Sequence, residues 1–241
     1  GSIDTAHIAA NAIDGTLTKD ALIADYSDVT ITASDLIMYG DATDSNNTKR
    51  DTVQGILDLA SGGAWNLVST TNVTSSVSTV EVTGIDNSSQ LWVWVLSGIH
   101  GSANAPLYPE IRTSNDASSH TYDSGGSDYM WQQGGANVST AYASQDNADD
   151  SIRLFQDPTY VGFNAGTETF AAEFYVYDPA ETTYYTMISW RGSGQQNDPT
   201  LKVGFGAGAR LAAEAVTALQ FFFSSGTIDD GRFSLYKVTT S

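Results

Sequence analysis

The sequence contains no cysteine and only 3 histidines among its 241 residues. The lack of cysteine excludes disulfides, thiol nucleophiles and thiolate metal sites, so stability has to come from packing or from association. His7, His100 and His120 are too dispersed to form a metal triad. We therefore expect no metal site and no cofactor.

Positive charge is also scarce, with 10 Lys and Arg against 28 Asp and Glu and a net charge of −18. A chain this acidic repels phosphate backbones, and no local basic patch offsets the repulsion, so we expect no nucleic-acid partner. No apolar run approaches the roughly 20 residues of a membrane helix, so we expect no membrane insertion. Gly1-Ser2 has the form of a cloning remnant, which predicts that the natural chain continues upstream.

Residues from 64 onward favour β-structure. Thr, Ser, Val and Tyr are frequent, and clusters of Gly, Ser, Asn and Asp separate the short apolar stretches. Repeated short strands without helical patterns between them predict a β-sandwich of jelly-roll type over residues 64–241. The predicted strands span residues 65–70, 78–82, 90–99, 108–112, 129–132, 151–155, 170–177, 184–191, 201–203, 207–213, 216–224 and 232–238.

Three of these strands differ in how much cover they need. Phe221-Phe222-Phe223 is wholly apolar, so the two strands that end the chain are expected inside a sheet. Leu91–Leu96 is apolar at every position and predicts a strand covered on both faces, at a subunit interface in one interpretation. In Phe170–Tyr177 apolar residues alternate with Glu173 and two tyrosines, which predicts a half-exposed strand.

The first 63 residues hold too little apolar surface for a core. Residues 1–30 carry one Ile, Leu or Val about every five positions, which predicts a thin extended shaft, with a flexible tail as the alternative. Residues 31–63 predict a collar, in which a strand at Ile31–Asp41 precedes a helix capped by Thr48 and Asp51. The apolar stripe of this helix cannot be buried by one short strand, so we expect a homo-oligomer. The stripe consists of Val53, Ile56, Leu57 and Ala60.

The C-terminal part contains five characteristic stretches, which are Val80–Ile85, Leu91–Leu96, Ile111–Ser114, Tyr122–Tyr129 and Ile228–Tyr236. Their succession over Trp65–Val238 resembles a β-sandwich module found in many bacteriophage structural proteins. Lys237 departs from that family, which commonly has glycine after the closing Leu-Tyr. Farther upstream, Ile31–Leu59 is similar to a short module of phage tail fibres, and Ile3–Thr16 is similar to a fibre shaft.

This resemblance implies a fibre with shaft, collar and head in that order, intertwined as a homotrimer. In the family, the module lies at the distal end of tail fibres or on head fibres, and is presumed to bind host surfaces. The implied location is the surface of the virion, with other virion proteins attached through an upstream part.

Exposed aromatic residues beside polar loops suit sugar binding, because an aromatic face stacks on the apolar face of a pyranose. The long Gly- and Ser-rich segment at residues 115–150 is typical of a binding loop. A second group follows a strand end near residue 190. Core packing is the competing interpretation for Tyr129 and Trp131, and the strand pattern favours it for at least one of them. The predicted ligand-binding residues are Tyr122, Tyr129, Trp131, Gln132, Tyr142, Trp190 and Arg191.

Other motifs are weaker. The glycines of Gly204–Val216 lack the βαβ context of a nucleotide fingerprint, so we interpret them as turn and strand. The acidic segment Asp146–Asp150 could offer oxygen ligands to Ca²⁺, with solvated carboxylates as the competing interpretation. Carboxyl groups could also form a glycosidase pair. Those candidates are Glu110, Asp116, Asp123 and Asp128.

The sequence therefore predicts a non-enzymatic phage fibre protein that binds a host-surface polysaccharide. The alternatives are a purely structural head or tail decoration and, less favoured, a polysaccharide-degrading enzyme.

Overall fold

The computed structural model describes residues 30–60, 65–102, 108–137, 140–155, 168–195 and 201–238. The chain divides into two compact units, residues 1–61 and residues 62–241. The predicted shaft over residues 1–30 lies outside the described residues except for Thr30. Within the described residues, the chain is mainly β with one short α-helix. No helix among them is long and apolar enough to cross a membrane.

The N-terminal unit is a hairpin followed by a helix. Strands β1 (Leu36–Asp41) and β2 (Asn47–Thr52) pair antiparallel, joined through a 3-10 turn at Ala42–Asp44, and helix α1 spans Val53–Ala60. The capping prediction was wrong, because Thr48 and Asp51 lie within β2. The Thr52 hydroxyl caps the helix instead, accepting a hydrogen bond from the Gly55 amide at 3.0 Å.

Two antiparallel sheets form the C-terminal unit, which we call the head. Its larger sheet has eight strands in the order β3-β14-β5-β10-β11-β12-β7-β8, and its smaller sheet has four in the order β4-β13-β6-β9. The larger sheet comprises β3 (Trp65–Val73), β5 (Leu91–Gly101), β7 (Tyr129–Ala136), β8 (Ala141–Asp149), β10 (Phe170–Tyr177), β11 (Met187–Gln195), β12 (Leu201–Arg210) and β14 (Ile228–Val238). The smaller sheet comprises β4 (Thr79–Thr83), β6 (Pro109–Ser114), β9 (Ile152–Arg153) and β13 (Ala218–Phe223).

The two sheets of the head share one apolar core, as a β-sandwich requires. Trp94 of the larger sheet meets Phe221 of the smaller one edge-on, with ring centroids 6.5 Å apart. Phe170 and Phe233 approach the same Phe221 ring at 5.8 and 5.5 Å. Each of these four rings is almost completely buried. Aromatic burial on this scale contributes about 2–3 kcal/mol per side chain, so this cluster dominates the stability of the head.

The last two strands were expected as a pair inside one sheet, and this expectation was wrong in part. Strand β13 lies between β4 and β6, whereas β14 lies between β3 and β5 of the other sheet. Both strands are interior, as predicted, but they face each other across the core. Phe221 and Phe223 point inward, and Phe222 points outward beneath the Arg112 guanidinium, 4.5 Å from the ring centroid.

Strand predictions succeeded where the side chains alternate clearly. Strand β10 has the predicted bounds and a half-exposed pattern, and β5 is buried at Trp92, Val93 and Trp94. The glycine-rich stretch predicted as two short strands is the single strand β12, Leu201–Arg210. The prediction of a long binding loop over residues 115–150 was wrong in its second half, because that half contains strand β8.

Candidate functional site

The outer face of the larger sheet carries an open groove of about 580 Å³. It runs across β5, β10, β11 and β12, with the cross-strand row Val95, Glu173, Arg191 and Phe205 along its floor. Ser97, Ala171, Ser193 and Val203 belong to the next row, which also lines it. The residues of this groove come from four strands spread over more than 100 positions of the sequence. They are brought together by the register in which these strands pair.

A fixed ion pair lies in the groove. Arg191 donates to Oε2 of Glu173 from both Nη2 (2.8 Å) and Nε (3.0 Å), and the Tyr175 hydroxyl donates to the same oxygen at 2.7 Å. The Tyr175 hydrogen bond, together with Arg191, holds the pKa of the Glu173 carboxyl below its usual value. The Glu173 contact in turn raises the pKas of Tyr175 and Arg191.

Phe205 supplies the aromatic surface of the groove. It is the cross-strand partner of Arg191 on one side and of Gly134 on the other. Its ring extends over Gly134, where a Cβ atom would stand 3.5 Å from Cζ. Even so, 64% of Phe205 remains exposed. An exposed ring anchored beside a charge pair combines stacking with directional hydrogen bonding.

A smaller groove of about 210 Å³ lies farther along the same sheet face. Gln132, which is exposed, lines it together with Met130, Ala207 and Met187. Of the predicted ligand-binding residues, Arg191 thus lines the larger groove, and Gln132 and Trp131 line the smaller one, where Trp131 is only 3% exposed.

Three of the predicted ligand-binding residues belong to the core, so the prediction that they bind a ligand was wrong. Trp131 and Trp190 are each only 3% exposed, and Tyr129 is fully buried. The Trp131 indole donates to Asp149 Oδ2 at 3.1 Å, and the Tyr129 hydroxyl accepts from the Thr113 amide at 2.8 Å. Their side chains point to the inner face because the alternation of β7 and β11 directs them there, so they cannot stack on an external ligand.

Tyr122 and Tyr142 are half-buried and lie outside the larger groove. Burial, with the nearby Glu81 carboxylate, raises the pKa of Tyr122 well above its usual value. The Tyr142 hydroxyl donates to the Val203 carbonyl at 3.3 Å, and it lies across Gly135, where a Cβ atom would clash with it. Tyr142 therefore occupies the inner side of the sheet.

The carboxyl groups considered as a glycosidase pair have separate partners. Glu110, only 5% exposed, pairs with Arg153, whose Nε lies 3.1 Å from Oε1. Burial raises the pKa of Glu110 to about 7, although the charge of Arg153 opposes the rise. The same Arg153 contacts Asp149 at 3.3 Å, so one cation serves two carboxylates.

Asp123 belongs to a second network around the buried Arg210, which also contacts Glu214 at 3.4 Å. Burial raises the pKa of Asp123, and Arg210 counteracts this. Asp116 and Asp128 accept backbone hydrogen bonds from Thr121 and Gly125. The four carboxyl groups therefore have four different sets of partners.

The acidic segment at residues 146–150 is held mostly within strand β8. Asp149 binds Trp131 and Arg153, and Asp150 pairs with Arg112 at 3.0 Å. In the part of the chain that the structure describes, no group of three or more His, Asp or Glu side chains is arranged to hold a metal ion.

Sequence reasoning missed Glu173, Tyr175 and Phe205. The alternation of β10 indicated that Glu173 and Tyr175 face outward, and this was the available signal. Phe205 lies between glycines, in a stretch that the sequence predicted as turn and strand. Comparison with protein-family models, characterised proteins and solved structures finds no match to this chain.

Proposed function

We propose that the chain is part of a homotrimeric bacteriophage fibre, whose jelly-roll head binds a glycan on the host cell surface. The resemblance of three successive segments to shaft, collar and head modules supports this. Under the proposal, the upstream end joins other virion proteins and the head lies at the surface of the particle. The head binds without turnover.

The observation that carries the glycan proposal is the groove around Phe205, Arg191 and Glu173. Its exposed ring suits the apolar face of a sugar, and its fixed charges suit hydroxyl groups. Because the groove is open, a single site is expected to bind weakly. Three heads on one fibre would raise the overall affinity through effective concentration.

A second candidate function is purely structural, with the sandwich capping and trimerising the fibre. The exposed apolar side chains of the N-terminal unit favour it, because they need cover whether or not the head binds a ligand. The most exposed of them are Ile31, Leu36 and Met38.

An array of bacterial surface polysaccharides tests the proposal. The labelled full chain is expected to bind at least one polysaccharide saturably, and Phe205→Ala is expected to lose that binding. Absence of binding by an assembled, folded oligomer would favour the structural role. Shortening of a polysaccharide on incubation, abolished by Glu110→Gln or Asp123→Asn, would instead indicate an enzyme.

A further inference from the structure

We infer that the groove selects neutral glycans bearing a vicinal diol, with Arg191 and Glu173 as the residues that bond its two hydroxyls. This inference rests on the proposed glycan-binding function and names its ligand class. The deciding feature is the asymmetric way in which the ion pair is made.

All three hydrogen bonds to the Glu173 carboxylate converge on one oxygen, Oε2. Among the described residues, none donates a hydrogen bond to Oε1 of Glu173, and none accepts a hydrogen bond from Nη1 of Arg191. The pair therefore leaves one carboxylate acceptor and one guanidinium nitrogen available to a ligand, while the three bonds on Oε2 hold the two charged side chains together. Two adjacent sugar hydroxyls match this pair, because one donates to the carboxylate while the other accepts from the guanidinium.

The charge of the groove disfavours acidic sugars. Among the residues that the structure describes, Glu173 and Arg191 are the only charged residues lining the groove, and their charges cancel. The positive charge of Arg191 is already compensated by the ion pair. The chain as a whole carries −18, which repels an anionic polymer at long range. A uronic or sialic acid residue therefore meets a repulsive field without an unpaired cation to offset it.

The remaining lining completes a site for a neutral sugar. Phe205 and Val203 provide apolar surface on β12. The Ser193 hydroxyl lies on the neighbouring strand β11, opposite Val203, and Ser97 lies on β5 at the far edge of the groove. The volume of about 580 Å³ lies within the roughly 300–1,000 Å³ of small-molecule sites, which accommodates a short oligosaccharide segment.

The test measures binding of the full chain to neutral polymers (dextran, mannan and galactan) and to acidic polymers (polygalacturonate, alginate and hyaluronate). The expected result is binding to a neutral polymer at least about tenfold tighter than to any acidic one. Periodate cleaves vicinal diols, so periodate treatment of the bound polymer should abolish binding, whereas mock treatment should not. Arg191→Ala and Phe205→Ala should each weaken binding by about tenfold or more.

Matched controls separate the groove from general effects. Arg50→Ala removes one exposed positive charge from the N-terminal unit, and Tyr184→Ala removes an exposed ring outside the groove; both should leave binding unchanged. Glu173→Gln leaves Arg191 without its carboxylate, so this variant should lose affinity for the neutral polymer and gain affinity for acidic ones. If Glu173 only stabilised the fold, its replacement would weaken binding to neutral and acidic polymers alike.

The outcomes distinguish the inference from the function on which it rests. Preference for acidic polymers, resistance to periodate, or unchanged binding by Arg191→Ala would overturn the inference while leaving glycan binding intact. No binding of the folded chain to any polymer would overturn both. A change of oligomeric mass in Phe205→Ala, without polymer binding, would assign the groove to contact with a second copy of the chain.

Discussion

The two units of this chain differ in whether they can bury their own apolar residues. In the head, aromatic residues of both sheets meet in a core where Trp94, Phe174 and Phe221 are fully buried. In the N-terminal unit, no residue from 30 to 56 is fully buried, and Met38 is 76% exposed. The head thus contains the interactions that stabilise it, whereas residues 30–56 of the N-terminal unit leave apolar side chains exposed.

This contrast separates two roles along the chain. A unit with its own core can present a binding surface without help from neighbours. A hairpin and a two-turn helix without a core are stable only when other surfaces pack on them. Under the proposed function, the N-terminal part would associate with other copies and the head would bind the ligand.

The largest expected effect comes from the head core. Phe221→Ala should lower the free energy of unfolding of the head by about 3–5 kcal/mol, because it leaves a cavity among four other rings. The matched control is Phe222→Ala in the same strand, which removes a half-buried ring and its contact with Arg112. It should cost about 1 kcal/mol. Urea unfolding measures the free energy of unfolding of both variants. Equal losses of stability in the two variants would contradict a core centred on Phe221.

A smaller effect concerns the buried Glu110. Its pKa is raised to about 7 from an ordinary value near 4.5, so the folded head binds a proton that the unfolded chain releases between these pH values. The contribution of this group to stability therefore falls as pH rises from about 4.5 to above 7. The glutamine of Glu110→Gln does not titrate. The free energy of unfolding of this variant, minus that of the wild type, should therefore rise by about 1–3 kcal/mol from pH 5 to pH 8.

Urea unfolding of both proteins at several pH values checks this prediction. The difference between the two profiles isolates Glu110 from the other acidic residues. A difference that does not change with pH would show that Arg153 keeps the Glu110 carboxylate ionised throughout.

The smallest expected effect lies in the N-terminal unit. Thr52→Ala removes the helix cap and should destabilise that unit by about 1 kcal/mol. Because the head has its own core, its unfolding midpoint should stay unchanged. Thermal unfolding followed by circular dichroism, with Thr48→Ala as the control at the originally predicted cap, resolves the two units. If Thr48→Ala destabilised the N-terminal unit as much as Thr52→Ala does, the assignment of the cap to Thr52 would be contradicted.

Much of the head could be predicted from side-chain alternation, but not its edges. Strand β10 alternates strictly, and both its bounds and its exposed face follow from the sequence. Strand β8 is an edge strand with polar residues on both faces, so it lacks the apolar signal that identifies a buried strand. Alternation also does not reveal which face is covered, and for this reason Trp131 and Trp190 were assigned to the surface.

The candidate site was harder to predict than the fold. Arg191 was identified, but its partners Glu173 and Phe205 are brought to it by strand register, which sequence spacing does not encode. Glycines on the inner face of β12 suggested a turn. In the folded head, Gly206 instead leaves room for Trp190, whose ring would clash with a Cβ atom there.

Light scattering of the intact chain, beside a chain starting at Trp65, tests the central contrast most directly. We expect a mass three times the 25.6 kDa of one chain for residues 1–241, and a folded monomer for the head alone. A 241-residue chain that remains a folded monomer would contradict this expectation, because the exposed apolar side chains of the N-terminal unit would then need no second copy.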